Sequence, residues 1–255
     1  MSPDEADLLR IGTATLVEAG VETPAEDARV LIAHAVANSD AGDALALFER
    51  RAAREPLAYI VGRCRFCGLE LVVDPRVLVP TEERTGTLVR AALESPKGAR
   101  IHEVGTGSGA VALAVKAARP DLVVTASDIS DDAIEVAREN ARRLGIDVDF
   151  RQADGLPEGR FDMVVANLPY TDSDQATQQL PPEETGFQPD VALWAGRDSL
   201  ALIRRLIEMT PAGMRVALEH APHHTEEIHE LLRDATTLLD GRGDERVTVG
   251  VIPGA

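Results

Sequence analysis

The sequence predicts an α/β protein, a mostly parallel sheet covered by helices on both faces, preceded by a small helical region. Three observations carry this. After Arg100, apolar runs of strand length alternate with amphipathic runs of helix length. A glycine-rich turn, "EVGTGSGAVALAV", joins the first of those strands to the first of those helices. Before them, residues 1–55 carry only helical periodicity.

The bulk properties fit a globular protein with a substantial core. The chain has 255 residues, 44% hydrophobic and 27% charged, enough apolar side chains to fill one large domain or one domain with a small companion. No apolar run approaches the roughly 18 residues that a membrane span needs. The start, "MSPDEADLLR", is acidic where an export signal would be basic and then apolar, so a cytoplasmic location is expected. The formal net charge of −17 argues against a broad surface for nucleic-acid phosphates, because such binding relies on Lys and Arg.

Taken in order, Asp4 to Ala19 reads as a helix with Leu8, Leu9, Ile11, Leu16 and Val17 on it and Gly20 as its stop. A second helix opens at Thr23 as N-cap and Pro24 at the first helical position. Glu26 stands three residues after Thr23, as a capping box requires. A third runs from Asp43 to Arg54. Residues 56–80 alternate around Gly62 and Gly68 and predict a β-hairpin connector, and residues 81–255 form the main domain, opening with a helix from Glu83 to Leu93.

Within that domain "ARIHEVG", "LVVTASD", "VDFRQAD", "FDMVVAN", "MRVALEH" and "RVTVGVI" read as strands. Helices are expected over "GAVALAVKAARP", "SDDAIEVARENARRLG", "SLALIRRLIEMTP" and "HTEEIHELLRDA". The segments "TDSDQ" and "PPEE" read as a loop over the active site.

The glycine turn suggests a ligand. Gly105, Gly107 and Gly109 allow close backbone approach, and the free amides of the following helix attract electronegative groups. Glu103 sits two positions before the first glycine. Asp128 ends the second strand, about 20 residues on, where a carboxylate can hold the hydroxyls of a ribose. Asp154 ends the third strand on the same edge. Each feature has a plainer use, as a tight turn or a helix cap. Together they favour a nucleoside cofactor, either S-adenosylmethionine or a nicotinamide dinucleotide, between which the glycine spacing does not choose.

"VVANLPY" bears on the chemistry. A strand that ends in Asn167 places a side-chain oxygen beside main-chain carbonyls, two acceptors converging on one spot and suited to the two hydrogens of an –NH2 group. Leu168 follows. Pro169 ends the ladder and offers a flat wall, and Tyr170 can lie on a planar group while its hydroxyl reaches polar atoms. Methyl transfer to a nitrogen held in this way needs mainly positioning.

The motifs "EVGTGSGAVALAV", "SDIS", "FDMVVANLPY", "EPLAYIVGRCRFCGLELVVDPRVLVP" and "DERVTVG" resemble the HemK/PrmC glutamine-N5 methyltransferases. That resemblance implies a seven-stranded Rossmann-like class I methyltransferase domain using S-adenosylmethionine. It implies a substrate too, the glutamine of the Gly-Gly-Gln loop of a peptide chain release factor. By the resemblance Gly105, Thr106, Gly107 and Gly109 contact the methionine end of the cofactor, with Glu103 beside them. Asp128 holds the ribose and Asp154 sits near the adenine, with Ile129 and Asn167 also in contact with the cofactor. Asn167, Leu168, Pro169 and Tyr170 bind the glutamine amide, with Asn167 and Tyr170 closest to the chemistry, and Phe66 lies near the methyl-transfer pocket.

The sequence departs from the family pattern in three places. Leu168 replaces the first proline of Asn-Pro-Pro-Tyr, as an aliphatic residue does in some actinobacterial relatives. "LVPTEERTGTLV" differs from the usual Pro-Arg-Pro-Glu-Thr-Glu run, and the N-terminal helical region is shorter. All three fall on substrate recognition, which leaves a small-molecule acceptor as the alternative to a release factor.

Other features are discounted as sites. Cys64 and Cys67 form a lone Cys-x-x-Cys and read as reduced thiols. His220, His223 and His224 near Glu219 match no common zinc spacing and are expected on an exposed loop. Trp194 either closes the substrate pocket or packs. No metal is expected.

Overall fold

The structure, a computed structural model, describes residues 3–38, 43–172 and 180–254. Helices α1 (Pro3–Glu18), α2 (Pro24–Ala37) and α3 (Ala44–Ala52) pack around Leu16, Leu31, Leu47 and Phe48. Pro24 takes the first turn of α2 as expected, but the capping box does not form. The Thr23 hydroxyl donates to Asp27 Oδ1 at 2.7 Å instead of bonding the helix N-terminus. Asp27 is buried, and its other oxygen takes Arg51 Nε at 2.7 Å. A buried carboxylate must be paired, and that demand outweighs the cap.

The connector begins with a helical turn rather than a strand, α4 (Leu57–Val61), which Gly62 ends at φ +72°. The hairpin proper is β1 (Arg63–Phe66) and β2 (Leu69–Val72). Its two turn residues, Cys67 and Gly68, have φ of +46° and +80°, the geometry that matches the strand twist across a two-residue loop.

The main sheet is built from β3 (Arg100–Val104), β4 (Val123–Asp128), β5 (Asp149–Gln152), β6 (Met163–Ala166), β9 (Arg215–Glu219), β10 (Arg233–Leu239) and β11 (Glu245–Val251). Between β6 and β9 the short strands β7 (Thr171–Asp172) and β8 (Trp194–Gly196) form a separate pair, with the one-turn helices α8 (Pro182–Thr185) and α9 (Asp190–Leu193) between them in the chain. The seven-stranded order is β10-β11-β9-β6-β3-β4-β5, with β9 to β5 parallel and β11 antiparallel to both of its neighbours. Strand alternation divides the core. Met163, Val165 and Ala217 face α5 (Glu82–Leu93), α6 (Ala110–Ala118) and α7 (Asp131–Leu144). Val164, Ala166, Val216 and Leu218 face α10 (Ala201–Met209) and α11 (Thr225–Leu231). Burial on both faces is why these strands read as continuous apolar runs.

The expected helix "HTEEIHELLRDA" is a helix only as far as Leu231. Leu232 is extended and buried in the second core, and Arg233 starts the edge strand β10. This is the seventh strand, which periodicity alone conceals. A register shift between Arg233 and Thr236, with Asp234 at φ +53°, interrupts its alternation. Among the described residues no helix is long and apolar enough to cross a membrane.

Candidate active site

The carboxyl ends of the parallel strands open onto a cavity of about 340 Å³. Its floor is the glycine turn, and the three glycines serve different ends. Gly105, at φ +76°, passes so close to the end of β6 that an added Cβ would lie 3.1 Å from Leu168 Cδ2. Gly107, at φ +53°, has no atom within 4 Å of that position, so the turn leaves open space there. Gly109, at φ +81°, lets α6 settle against Leu113, Ala137 and Phe150, each 3.1–3.2 Å from a virtual Cβ.

Two acids brace the turn. Glu103 Oε2 accepts the Thr106 hydroxyl at 2.7 Å and the Ala112 amide at 3.0 Å, clamping the turn to α6. Burial pushes its pKa up to about 8. Asp128 accepts the Gly107 amide at 2.9 Å on Oδ2 and the Ser130 amide at 3.0 Å on Oδ1. It does not cap α7, which Ser130 does by accepting the Ala133 amide. Each carboxylate oxygen of Asp128 keeps acceptor capacity toward the cavity. Burial raises its pKa, against the pull of the backbone amides of Ser130, Gly107 and Ile129.

Ile129 is exposed beside Asp128 and forms an apolar wall. Asp154 stands at the rim, held bidentately by Arg205 at 2.8 and 2.7 Å. Trp194 lines this cavity too, its indole N–H on Asp190 Oδ1 at 2.9 Å. A turn with space at Gly107 and an acid at the second strand end fits a nucleoside cofactor.

A second cavity, of about 760 Å³, lies between the connector, the helical region and the end of β6. Thr85, Asn167, Leu168 and Pro169 line both cavities. The strand-end amide is therefore the junction of the two spaces. Tyr170 lines only the larger one, and burial pushes its pKa up to about 12. Pro181, Glu183 and Glu184 form part of the wall. Here "PPEE" is the short helix α8 (Pro182–Thr185), which Glu183 ties to Arg51 and Arg54 at 2.9 and 2.7 Å. Of the companion loop segment "TDSDQ", Ser173 to Gln175 fall outside the described residues.

Other expectations need correction. Phe66 is fully buried in the main core and lines neither cavity. On β1 it packs into the core with Leu71, whereas Cys64, on the same face of the hairpin, lines the larger cavity. His220 and His224 are buried rather than on an exposed loop, and His220 Nε2 bonds Thr248 Oγ1 at 2.7 Å. Cys64 and Cys67 are free thiols, with burial pushing each pKa up to about 11. Among the described residues no cluster of three or more His, Cys, Asp or Glu side chains is arranged to hold a metal.

The sequence reading missed Thr85 on α5 and gave Glu219, at the end of β9, only a discounted metal role. Both line the larger cavity beside Asn167, and Glu219 is buried. Nothing in their local sequence marks them; sheet register and helix packing bring them in.

A family model described as methyltransferase small domain matches residues 83–183. The chain is 37% identical to a release factor glutamine methyltransferase of Deinococcus radiodurans, with 93% of each chain covered. It is 32% identical to one of Aliivibrio fischeri, with 95% of each covered. A methyltransferase of known structure from Pyrococcus furiosus shares the fold at a TM-score of 0.51 and 21% identity, covering 74% of this chain and 90% of that one.

Proposed function

The chain belongs to the release factor glutamine methyltransferase family, and from that membership we propose that it methylates the side-chain amide nitrogen of a glutamine in a peptide chain release factor, with S-adenosylmethionine as donor. The observation that carries the reading is the shared wall: the cofactor-sized cavity and the acceptor cavity meet at Asn167, Leu168 and Pro169. The near full-length relatives favour a release factor over a small molecule as acceptor, and the family resemblance points to the glutamine of its Gly-Gly-Gln loop. A release factor as acceptor places the protein in the cytoplasm.

S-adenosylmethionine supplies an electrophilic methyl group. In this reading Gly105, Thr106 and Gly107 cradle its methionine end, Asp128 and Ile129 hold the ribose, and Asp154 with Arg205 borders the adenine. Asn167 Oδ1 and a main-chain carbonyl at the strand end accept the two N–H bonds of the glutamine amide. This turns the nitrogen toward the junction. Acceptors fixed there also favour the positive character that grows on nitrogen as the new bond forms. Most of the acceleration then comes from orientation, and because the nitrogen sheds one N–H proton to water only late, after the methyl has arrived, no strong base is needed.

The test is incubation of the purified protein with methyl-labelled S-adenosylmethionine and a release factor. Mass spectrometry of the Gly-Gly-Gln peptide should show one added methyl on the glutamine. An unmodified peptide, with label appearing instead on small molecules of an extract, overturns the protein acceptor.

A further inference from the structure

Glu219 is the buried acid at this corner that the proposed reaction leaves unused. It ends β9, and the register pairing Ala166 with Leu218 sets it one step further along, across from Asn167. Only 2% of the residue is exposed, yet it lines the acceptor cavity. One carboxyl oxygen, Oε1, receives the Thr85 hydroxyl at 3.4 Å, and the other, Oε2, is buried with no hydrogen-bond partner. Thr85 Oγ1 is in turn approached by Asn167 Nδ2 at 3.5 Å. The three side chains form one chain from the cavity floor to the strand-end amide.

A hydroxyl has one proton to give. When Thr85 gives it to an ionised Glu219, only its lone pairs face Asn167. The NH2 end of that amide must then turn to Thr85 and leave Oδ1 toward the cavity. When Glu219 is protonated and donates to Thr85, the hydroxyl proton is released toward Asn167. The amide can then reverse and present donors to an acceptor that is itself a donor.

Building on the amide acceptor proposed above, we infer that Glu219 and Thr85 are positioning residues that set the polarity of the Asn167 side chain, with ionised Glu219 as the productive form. The groups facing the carboxyl are Thr85 and Arg84 from α5, Tyr170 after β6 and Arg246 from β11. Burial pushes the Glu219 pKa up to about 7, against the pull of Thr85, both guanidiniums and the Tyr170 hydroxyl. The switch therefore falls in the neutral range, and activity rises with pH through it.

The test reads the side chains directly as well as turnover. With carboxyl-¹³C glutamate and ¹⁵N asparagine, the Glu219 carboxyl and the Asn167 amide should titrate with one shared midpoint, Asn167 being assigned by its loss in Asn167→Asp. In Glu219→Gln, which still accepts from Thr85 but cannot ionise, the Asn167 signal and kcat should lose that pH step. Thr85→Val should uncouple the two signals and lower kcat about tenfold, with S-adenosylmethionine affinity unchanged. Thr85→Ser should restore both. An Asn167 signal indifferent to the Glu219 titration, or a Thr85→Val enzyme with wild-type kcat and pH profile, overturns the inference. Coupled signals in a protein that leaves release factor unmodified would instead overturn the proposed acceptor and leave the polarity switch standing.

Discussion

The Gly107 amide donates to Asp128 Oδ2 at 2.9 Å, so the acid that ends β4 also holds open the turn that ends β3. Neighbouring strands thus share one device. Asp128→Ala removes the brace and, in the proposed reading, an acceptor for the ribose, and S-adenosylmethionine affinity should fall by about tenfold or more in isothermal titration. Asp128→Asn keeps an oxygen for the amide and should lose less. Equal affinity in Asp128→Ala and the wild type would count against the ribose contact.

Asn167 makes the opposite kind of contribution. It lines both cavities, and with the acceptor role proposed for it Asn167→Ala should cost at least ~100-fold in kcat while cofactor affinity changes little. Single-turnover kinetics with saturating cofactor provide the check, and unchanged turnover removes its role.

Gly109 should tolerate substitution least of the turn glycines. Its φ is +81°, and three side chains crowd the position a Cβ would take. Gly109→Ala combines left-handed strain of about 1–2 kcal/mol with overpacking of about 1–3 kcal/mol. Thermal unfolding should show a drop of several degrees, whereas Gly107→Ala, which meets open space, should show the strain alone.

Glu103 predicts a pH dependence of stability. Its folded pKa is raised to about 8 by burial, above the ordinary carboxylate value. Between those values the folded state holds a proton that the unfolded state has lost, so stability falls as pH rises through that window. The slope from this group is at most about 1.4 kcal/mol per pH unit. Glu103→Gln keeps an oxygen for Thr106 and Ala112 and should flatten the slope in urea titrations across pH 5 to 8 (an approximate window). An identical slope in the variant means the carboxyl is ionised in the fold.

What the chain revealed in advance follows from how local each signal is. The glycine turn and Asn167 to Tyr170 carry their chemistry within a few residues, and the structure places them on adjacent strands at one sheet edge. The hairpin was legible, but the family resemblance put Phe66 near the methyl-transfer pocket, and it lies in the core. The edge strand β10 was hidden because its bulge breaks the alternation that marks a strand. Thr85 and Glu219 lie 134 positions apart, and no pattern within either segment announces that they touch.

The Glu183 bridge to Arg51 and Arg54 changes what the amino-terminal helices are for. Pro56, Leu57 and Val61, next to them, also wall the acceptor cavity. Removing residues 1–54 would strand Glu183 without either counter-ion and take Glu26 and Val30 out of the wall of that chamber. A minimal catalytic fragment should therefore retain its appetite for cofactor yet lose discrimination among acceptors, and shortening this end through evolution would reshape the enzyme's clientele before its chemistry.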